Sequence, residues 1–393
     1  MLIKPRIRGF ICTTAHPTGC AALVERQAQW EQSQPPPAPG GPQRVLVLGG
    51  SGGYGLASRL VSAFGYQAKT LCLSFEKEPE PDKTATAGWY NNAAFDRFAA
   101  ARGLYARSMN GDAFADETKR AVAAAIRQDL GRIDLLVYSL ASPVRTDPDS
   151  GVTYRSAIKP VGAAVQITSL NVDKGIVGEV NLAPATDDEI AATVKVMGGE
   201  DWERWTAHLQ KEHLLADGFR TVAYTYIGSR LTWPIYWNGT LGKAKEDLDR
   251  AAVALRQALA PIGGDARVAV LKAVVTQASS AIPVVPLYIS LLFSVMKEKG
   301  THEDCLRHID RLFRDVLYGA KTATHTDEKG RLRVDDRELD ASVQEEVARR
   351  WALVATDTLP ELGDLDGYRA DFLRIFGFGV EGVDYEADVS PLV

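Results

Sequence analysis

The sequence predicts an α/β protein built on a doubly wound parallel sheet. Two observations carry that reading. Short apolar, β-branched runs alternate with helix-period segments along most of the chain. One of these runs, Val45-Leu46-Val47-Leu48, enters Gly49-Gly50-Ser51-Gly52-Gly53-Tyr54-Gly55 and then a helical stretch through Leu56, Leu60, Val61 and Phe64. A strand, a glycine turn and a helix in that order make the fold Rossmann-type.

The 393 residues read as a single large α/β domain with helical and small β insertions. A net charge of −5 argues against non-specific nucleic-acid binding, which needs excess Lys and Arg. Cys12, Cys20, Cys72 and Cys305 match no common metal spacing, so no metal is expected and the thiols read as reduced. Met1 to Arg6 has no apolar signal core, and the apolar run 281–296 is too short to span a bilayer. A cytoplasmic chain without a membrane span is expected.

An N-terminal arm (Gly9 to Pro17) leads into a helix over 20–30 and a proline-rich connector over 35–42. The first strand is 44–48, the second 69–75 and the third 104–108. A helix over 116–130 and a fourth strand over 133–139 follow. Residues 143–218 read as an insertion, with strands at 164–170 and 176–182 and helices at 187–196 and 201–214. The fifth strand is expected at 219–227, a long helix at 240–259 and the sixth strand at 267–275. Residues 44–142 and 219–283 thus form the dinucleotide-binding core. Residues 284–393 form a mostly helical substrate-side and C-terminal region.

The glycines let the backbone turn sharply and approach a pyrophosphate, while the helix N-terminus offers free N–H groups and positive dipole. The spacing Gly49-x-x-x-Gly53-x-Gly55 is the wider one of short-chain reductases. Phe75-Glu76 closes the second strand, where a carboxylate grips ribose hydroxyls and repels a 2′-phosphate, which favours NADH. Lys77 and Lys83 soften that preference, and the bland reading of Glu76 is a solvated strand end. Asp112-Ala113 falls after the third strand, where adenine is met. Leu140-Ala141 falls after the fourth, beside the nicotinamide ribose. Position on the fold is the warrant for both pairs.

Short-chain reductases use a tyrosine hydroxyl as proton donor or oxyanion holder, with a lysine that lowers its pKa and holds the ribose. Tyr236 stands just before the helix over 240–259, but Thr240 breaks the usual Tyr-x-x-x-Lys spacing. Lys243 and Lys245 remain. At about 100° per residue, Lys245 lies roughly 60° from the centre of the apolar stripe through Leu241, Ala244, Leu248 and Leu255, and Lys243 about 140° away. Lys245 borders the buried sheet edge and Lys243 faces solvent. The rival reading is a buried tyrosine with a surface lysine.

Together these residues resemble the FabV-type trans-2-enoyl-ACP/CoA reductases, whose Tyr-x8-Lys signature Tyr236 and Lys245 match. The resemblance covers essentially the whole chain, including Arg8 to Pro17, Tyr224 to Ser229 and Val275 to Pro283. It implies NADH-dependent reduction of the C2=C3 double bond of a 2-enoyl thioester, the last step of a fatty-acid elongation cycle. Hydride addition at the β-carbon leaves an enolate, which Tyr236 would protonate or stabilise while Lys245 tunes it and binds ribose. The resemblance also implies that Tyr226 contacts the substrate, that Val274, Val275 and Thr276 line the cofactor, and that the protein is a monomer. The partner would be an enoyl thioester on acyl carrier protein or CoA. Lys297, Lys299, Arg307, Arg311 and Arg314 are candidates for a basic rim, or simply charges on solvent-facing helices. The segment 284–296 reads either as a buried core helix or as a wall of an acyl pocket. Two rivals stand: a short-chain-type carbonyl reductase, and a non-catalytic NADH-binding sensor.

Overall fold

A computed structural model describes residues 1–9 and 11–392. Phe10, within the distinctive opening stretch, lies outside the described residues. Seven strands form one wholly parallel sheet: β1 (Arg44–Leu48), β2 (Lys69–Ser74), β3 (Ala106–Asn110), β4 (Ile133–Tyr138), β5 (Leu215–Thr225), β6 (Asp265–Val270) and β7 (Leu332–Arg333). Their order across the sheet is β7-β6-β5-β4-β1-β2-β3. The winding reverses between β1 and β4, and ligands of such sheets bind beyond the strand carboxyl ends at that reversal.

Burial on both faces explains the continuous apolar runs. Val45 and Val47 face one layer with Leu135 and Val137, packed under α1 (Pro17–Gln32), α2 (Gly53–Leu60) and α3 (Ala87–Ala100). Leu46 and Leu48 face the other with Leu71 and Leu136. That layer lies under α4 (Asp116–Asp129), α6 (Glu200–Lys211) and α7 (Thr240–Leu259), where Trp202 and Trp205 are fully buried. Between α4 and α6 come two antiparallel hairpins and α5 (Asp187–Met197), which Thr186 and Glu189 close with a capping box.

A third core lies past the strand carboxyl ends. It joins Tyr236 and Leu241 to helix α9 (Val285–Glu298), buried without a break from Val285 to Phe293, with Tyr368 and Phe372 from the C-terminal helix. Here α8 is Gln277–Ser280, α10 Cys305–Arg311, α11 Ala341–Leu353, α12 Leu359–Leu362 and α13 Leu365–Ile375. Of the two readings of 284–296, the buried core helix fits: only Pro286 of that run borders the adjoining cavity of 670 Å³.

Several boundaries differ from expectation. β5 begins at Leu215, so the last four residues assigned to the insertion belong to the sheet. β6 stops at Val270 rather than Val275, because its neighbours stop there: Thr225 and Arg333 both pair with Val270. β3 runs over 106–110 because β2 sets its register from Thr70↔Ala106 to Ser74↔Asn110. β7 lies inside the region read as mostly helical, and two residues carry no periodicity to find.

Candidate active site

The glycine turn lies where the winding reverses. Gly49 and Gly53 take φ of +80° and +52°, left-handed conformations that favour glycine. A Cβ on Gly49 would lie 2.2 Å from the Ser139 carbonyl oxygen, and one on Gly55 2.0 Å from that of Gly49. Gly52 is different. Its backbone is extended and no atom lies within 4 Å of where its Cβ would be. As the residue before α2 it leaves the first-turn N–H groups without a side-chain cap. An open helix start with room for backbone approach fits a dinucleotide pyrophosphate.

Around this turn the structure gathers most of the expected cofactor residues. Ser51 donates to Glu76 Oε1 at 2.6 Å, and the Thr86 hydroxyl donates to Oε2. Asn110 clasps the Glu76 backbone at both N–H (2.7 Å) and C=O (2.9 Å). Glu76 is therefore a fixed, half-buried carboxylate rather than a solvated strand end. Phe75 beside it is 78% exposed. Leu140 packs 3.2 Å from the Gly49 Cβ position, and Thr276 3.4 Å from that of Gly53. The Tyr54 hydroxyl donates to the Lys272 carbonyl at 2.8 Å, tying the turn to the end of β6. Val274 and Val275 are buried next to it, Gly50 and Ser51 lie within the turn, and Ala141 is exposed. Asp112 caps its own turn through Phe114 N–H (2.9 Å). Ala113 is held from below by Lys119 (2.8 Å) and Trp205 (3.0 Å) on its carbonyl.

Tyr236 sits in the turn-rich segment before α7, as its spacing requires. Its carbonyl accepts the N–H of Gly242 at 2.9 Å, and a Cβ on Gly242 would lie 1.8 Å from the Trp237 oxygen. Only glycine lets the helix start beneath this loop. The Tyr236 ring meets Tyr226 edge-on, with centroids 4.9 Å apart and planes at 82°. Lys245 is half-buried on α7, and burial pushes its ammonium down to about 8 against a smaller opposing pull from Asp249. Lys243 is exposed and pairs with Glu246 at 2.9 Å.

Two expectations need adjustment. Among the described residues no hydrogen bond joins the Tyr236 hydroxyl to Lys245. Burial raises the Tyr236 hydroxyl above its ordinary value, where a lysine-lowered pKa was expected. The hydroxyl thus keeps its hydrogen and can offer it in a hydrogen bond. The basic rim is also mostly spent internally: Lys297 pairs with Asp364, Arg311 with Glu303 and Asp336, and Arg314 with Glu31 and Asp310.

Sequence reasoning missed Glu338, which is fully buried with its carboxyl 3.0 Å from the Tyr226 hydroxyl. It stands 112 residues from Tyr226, in a turn with no local signal. Thr86, ten residues from Glu76, went unseen because its grip depends on how the irregular segment after β2 folds back.

The family model described as "Trans-2-enoyl-CoA reductase catalytic region" matches residues 83–318. That of the "NAD(P)H binding domain of trans-2-enoyl-CoA reductase" matches residues 2–81. A third, "Enoyl reductase FAD binding domain", matches residues 326–389. An enoyl-(acyl-carrier-protein) reductase (NADH) of Pseudomonas fluorescens is 56% identical over the whole chain and 98% of its own length. The trans-2-enoyl-CoA reductase of Treponema denticola, solved with NAD, is 46% identical with TM-score 0.94, covering 99% of this chain and 98% of its own. That of Clostridium acetobutulicum, solved with NADH, is 40% identical with TM-score 0.96, covering 100% and 98%. The name of the third model does not fit the residues. In 326–389, α11 and α13 begin under the carboxylates of Asp340 and Asp364, which take the first-turn N–H groups of Ser342 and Gly367 and repel a flavin pyrophosphate.

Proposed function

The chain belongs to the trans-2-enoyl-CoA reductase family and is an NADH-dependent enoyl reductase; we propose that Tyr236 and Lys245 carry its reduction of the C2=C3 double bond of trans-2-enoyl thioesters. The observation that supports this most is Tyr236 itself: a buried hydroxyl, kept protonated by its surroundings, edge-on to Tyr226 beyond the carboxyl end of β5. The reaction is the final step of a fatty-acid elongation cycle.

NADH supplies the hydride when bound. Its pyrophosphate belongs at Gly49 to Tyr54, its adenosine between Phe75, Glu76, Asp112 and Ala113, and its nicotinamide end against Leu140, Ala141 and Val274 to Thr276. Glu76, fixed at both carboxylate oxygens, faces the adenosine ribose and disfavours a 2′-phosphate there. Lys245 holds the nicotinamide ribose through its ammonium. Tyr236 donates its hydrogen to the substrate as negative charge develops after hydride addition. Tyr226 positions the thioester carbonyl. The acyl tail extends toward the apolar cavity bordered by Leu170, Ile282, Pro286, Tyr368 and Phe372.

The thioester is carried on acyl carrier protein or CoA, and the enzyme acts as a cytoplasmic monomer. For the location, the support is that among the described residues no helix is long and apolar enough to cross a membrane and all four cysteines are free. Mixing the protein with crotonyl-CoA and NADH should oxidise NADH, and Tyr236→Phe should lower kcat about 100-fold or more. Reduction of ketones with enoyl thioesters untouched would refute this reading in favour of a carbonyl reductase. NADH binding without turnover would point to a sensor.

A further inference from the structure

Glu338 has no exposed surface and no salt-bridge partner among the described residues. It stands in the turn between β7 and α11 and joins three segments that converge on the site. Oε1 lies 3.0 Å from the Tyr226 hydroxyl and 2.8 Å from the Tyr288 hydroxyl of α9. Oε2 accepts the Ala273 N–H at 2.6 Å, one residue before the stretch assigned to the cofactor. The nearest cation on that strand end, Lys272, spends its ammonium on the carbonyls of Ala273 (2.8 Å) and Glu303 (3.1 Å).

Counting hydrogens decides what this carboxyl does. A tyrosine hydroxyl carries one hydrogen and can accept others. The Tyr288 hydroxyl accepts from Gln344 Nε2 at 3.1 Å and gives its own hydrogen to Glu338 Oε1 at 2.8 Å. Ala273 N–H fills Oε2. If Glu338 is ionised, the Tyr226 hydrogen must also point at Oε1. Tyr226 then presents only lone pairs outward, the wrong polarity for holding a carbonyl oxygen. If Glu338 carries a proton on Oε1, it donates to Tyr226, every buried group is still satisfied, and the Tyr226 hydrogen is free to face the substrate. Burying an unpaired carboxylate is costly, and that burial raises the Glu338 acid above its ordinary value. Gly228 completes the arrangement: a Cβ there would lie 2.5 Å from the Tyr226 hydroxyl oxygen, so its absence admits the ring.

We propose that Glu338 is a positioning residue which, as a neutral acid, donates to the Tyr226 hydroxyl and turns that hydroxyl's hydrogen toward the thioester carbonyl. This rests on the assignment of Tyr226 to the substrate. Glu338→Gln keeps the donor toward Tyr226: its amide oxygen takes the Ala273 N–H and its NH2 donates to the Tyr226 hydroxyl, while the Tyr288 hydrogen, which an NH2 does not accept, turns to the Ser229 side chain beside it. Glu338→Ala removes the donor.

The test is a coupling measurement with crotonyl-CoA and NADH, reading kcat and KM for Glu338→Ala, Glu338→Gln, Tyr226→Phe and the Glu338→Ala/Tyr226→Phe double variant, alongside melting midpoints. Tyr226→Phe should lower kcat/KM about tenfold or more, and Glu338→Ala by a similar factor. The double variant should fall no more than about threefold below the worse single one, because both remove the same hydrogen bond. Glu338→Gln should recover most of what Glu338→Ala loses. Multiplied losses in the double variant overturn the proposal, since Glu338 would then act by another route. An unaffected Tyr226→Phe instead removes the premise that Tyr226 binds substrate. Should Glu338→Ala fail to fold, Glu338→Gln decides alone: kcat/KM within about threefold of the parent supports the proposal, and a loss beyond about tenfold at an unchanged midpoint overturns it.

Discussion

Lys245 illustrates how a single side chain trades stability for chemistry. It is half-buried without an ion-pair partner among the described residues, and burial holds its ammonium at about 8. An unfolded lysine titrates near 10.4, so between pH of about 8 and 10.4 the unfolded chain binds more protons and stability rises with pH. Below pH 8 the full cost of burying the charge is present. Lys245→Met should therefore abolish turnover while raising the melting midpoint at pH 7 by about 1–2 °C. Lys243→Met, on the exposed face, should leave kcat within about twofold; the reverse pattern would overturn the helical-face argument. In the free enzyme kcat/KM should fall on the alkaline side through an apparent pKa near 8 as Lys245 discharges. A flat profile to pH 9.5 would count against Lys245 as the group that holds the ribose. The difference in burial between the two lysines was legible in the helix period alone. The orientation of the Tyr226 hydroxyl was not, because it depends on Glu338 in a distant turn.

At the scale of elements, the glycine turn separates residues needed by the fold from those needed by the ligand. Gly55→Ala drives a methyl group into the Gly49 backbone, and the turn must give way. It should lower the melting midpoint by several degrees. Gly52→Ala meets nothing and keeps an ordinary extended backbone. It should leave the midpoint unchanged yet raise the KM for NADH about tenfold, because the added methyl stands where the pyrophosphate approaches. Equal loss of stability in both variants would contradict this division. Strand–turn–helix order and the extent of α7 are local properties, so the sequence pattern locates them. Strand ends are set by neighbours, and for that reason β3, β5 and β6 were misjudged by two to five residues.

For the whole molecule, two cores sandwich the sheet and a third closes over its carboxyl ends, with the proposed site where they meet. The C-terminal stretch serves that third core through Tyr368, Phe372 and Phe376 rather than building a flavin cradle. NADH at 100 times its Kd should therefore stabilise the protein by about 2.7 kcal/mol, and FAD should leave the melting curve where it is. An upward shift with FAD, or a flavin spectrum in the purified protein, would reverse the reading of residues 326–389. The sequence alone determined the parallel α/β class, the glycine turn, the acidic residue after β2, and the faces of α7 that leave Lys245 half-buried and Lys243 exposed, since each is written in spacing over a few turns of chain. Tertiary structure decided how Glu76 is clamped by Ser51 and Thr86, why Tyr236 stays protonated, and which carboxyl governs Tyr226. Those depend on burial and on partners brought together by chain folding, from ten residues away for Thr86 on Glu76 to 112 for Glu338 on Tyr226, and neither is encoded in local periodicity.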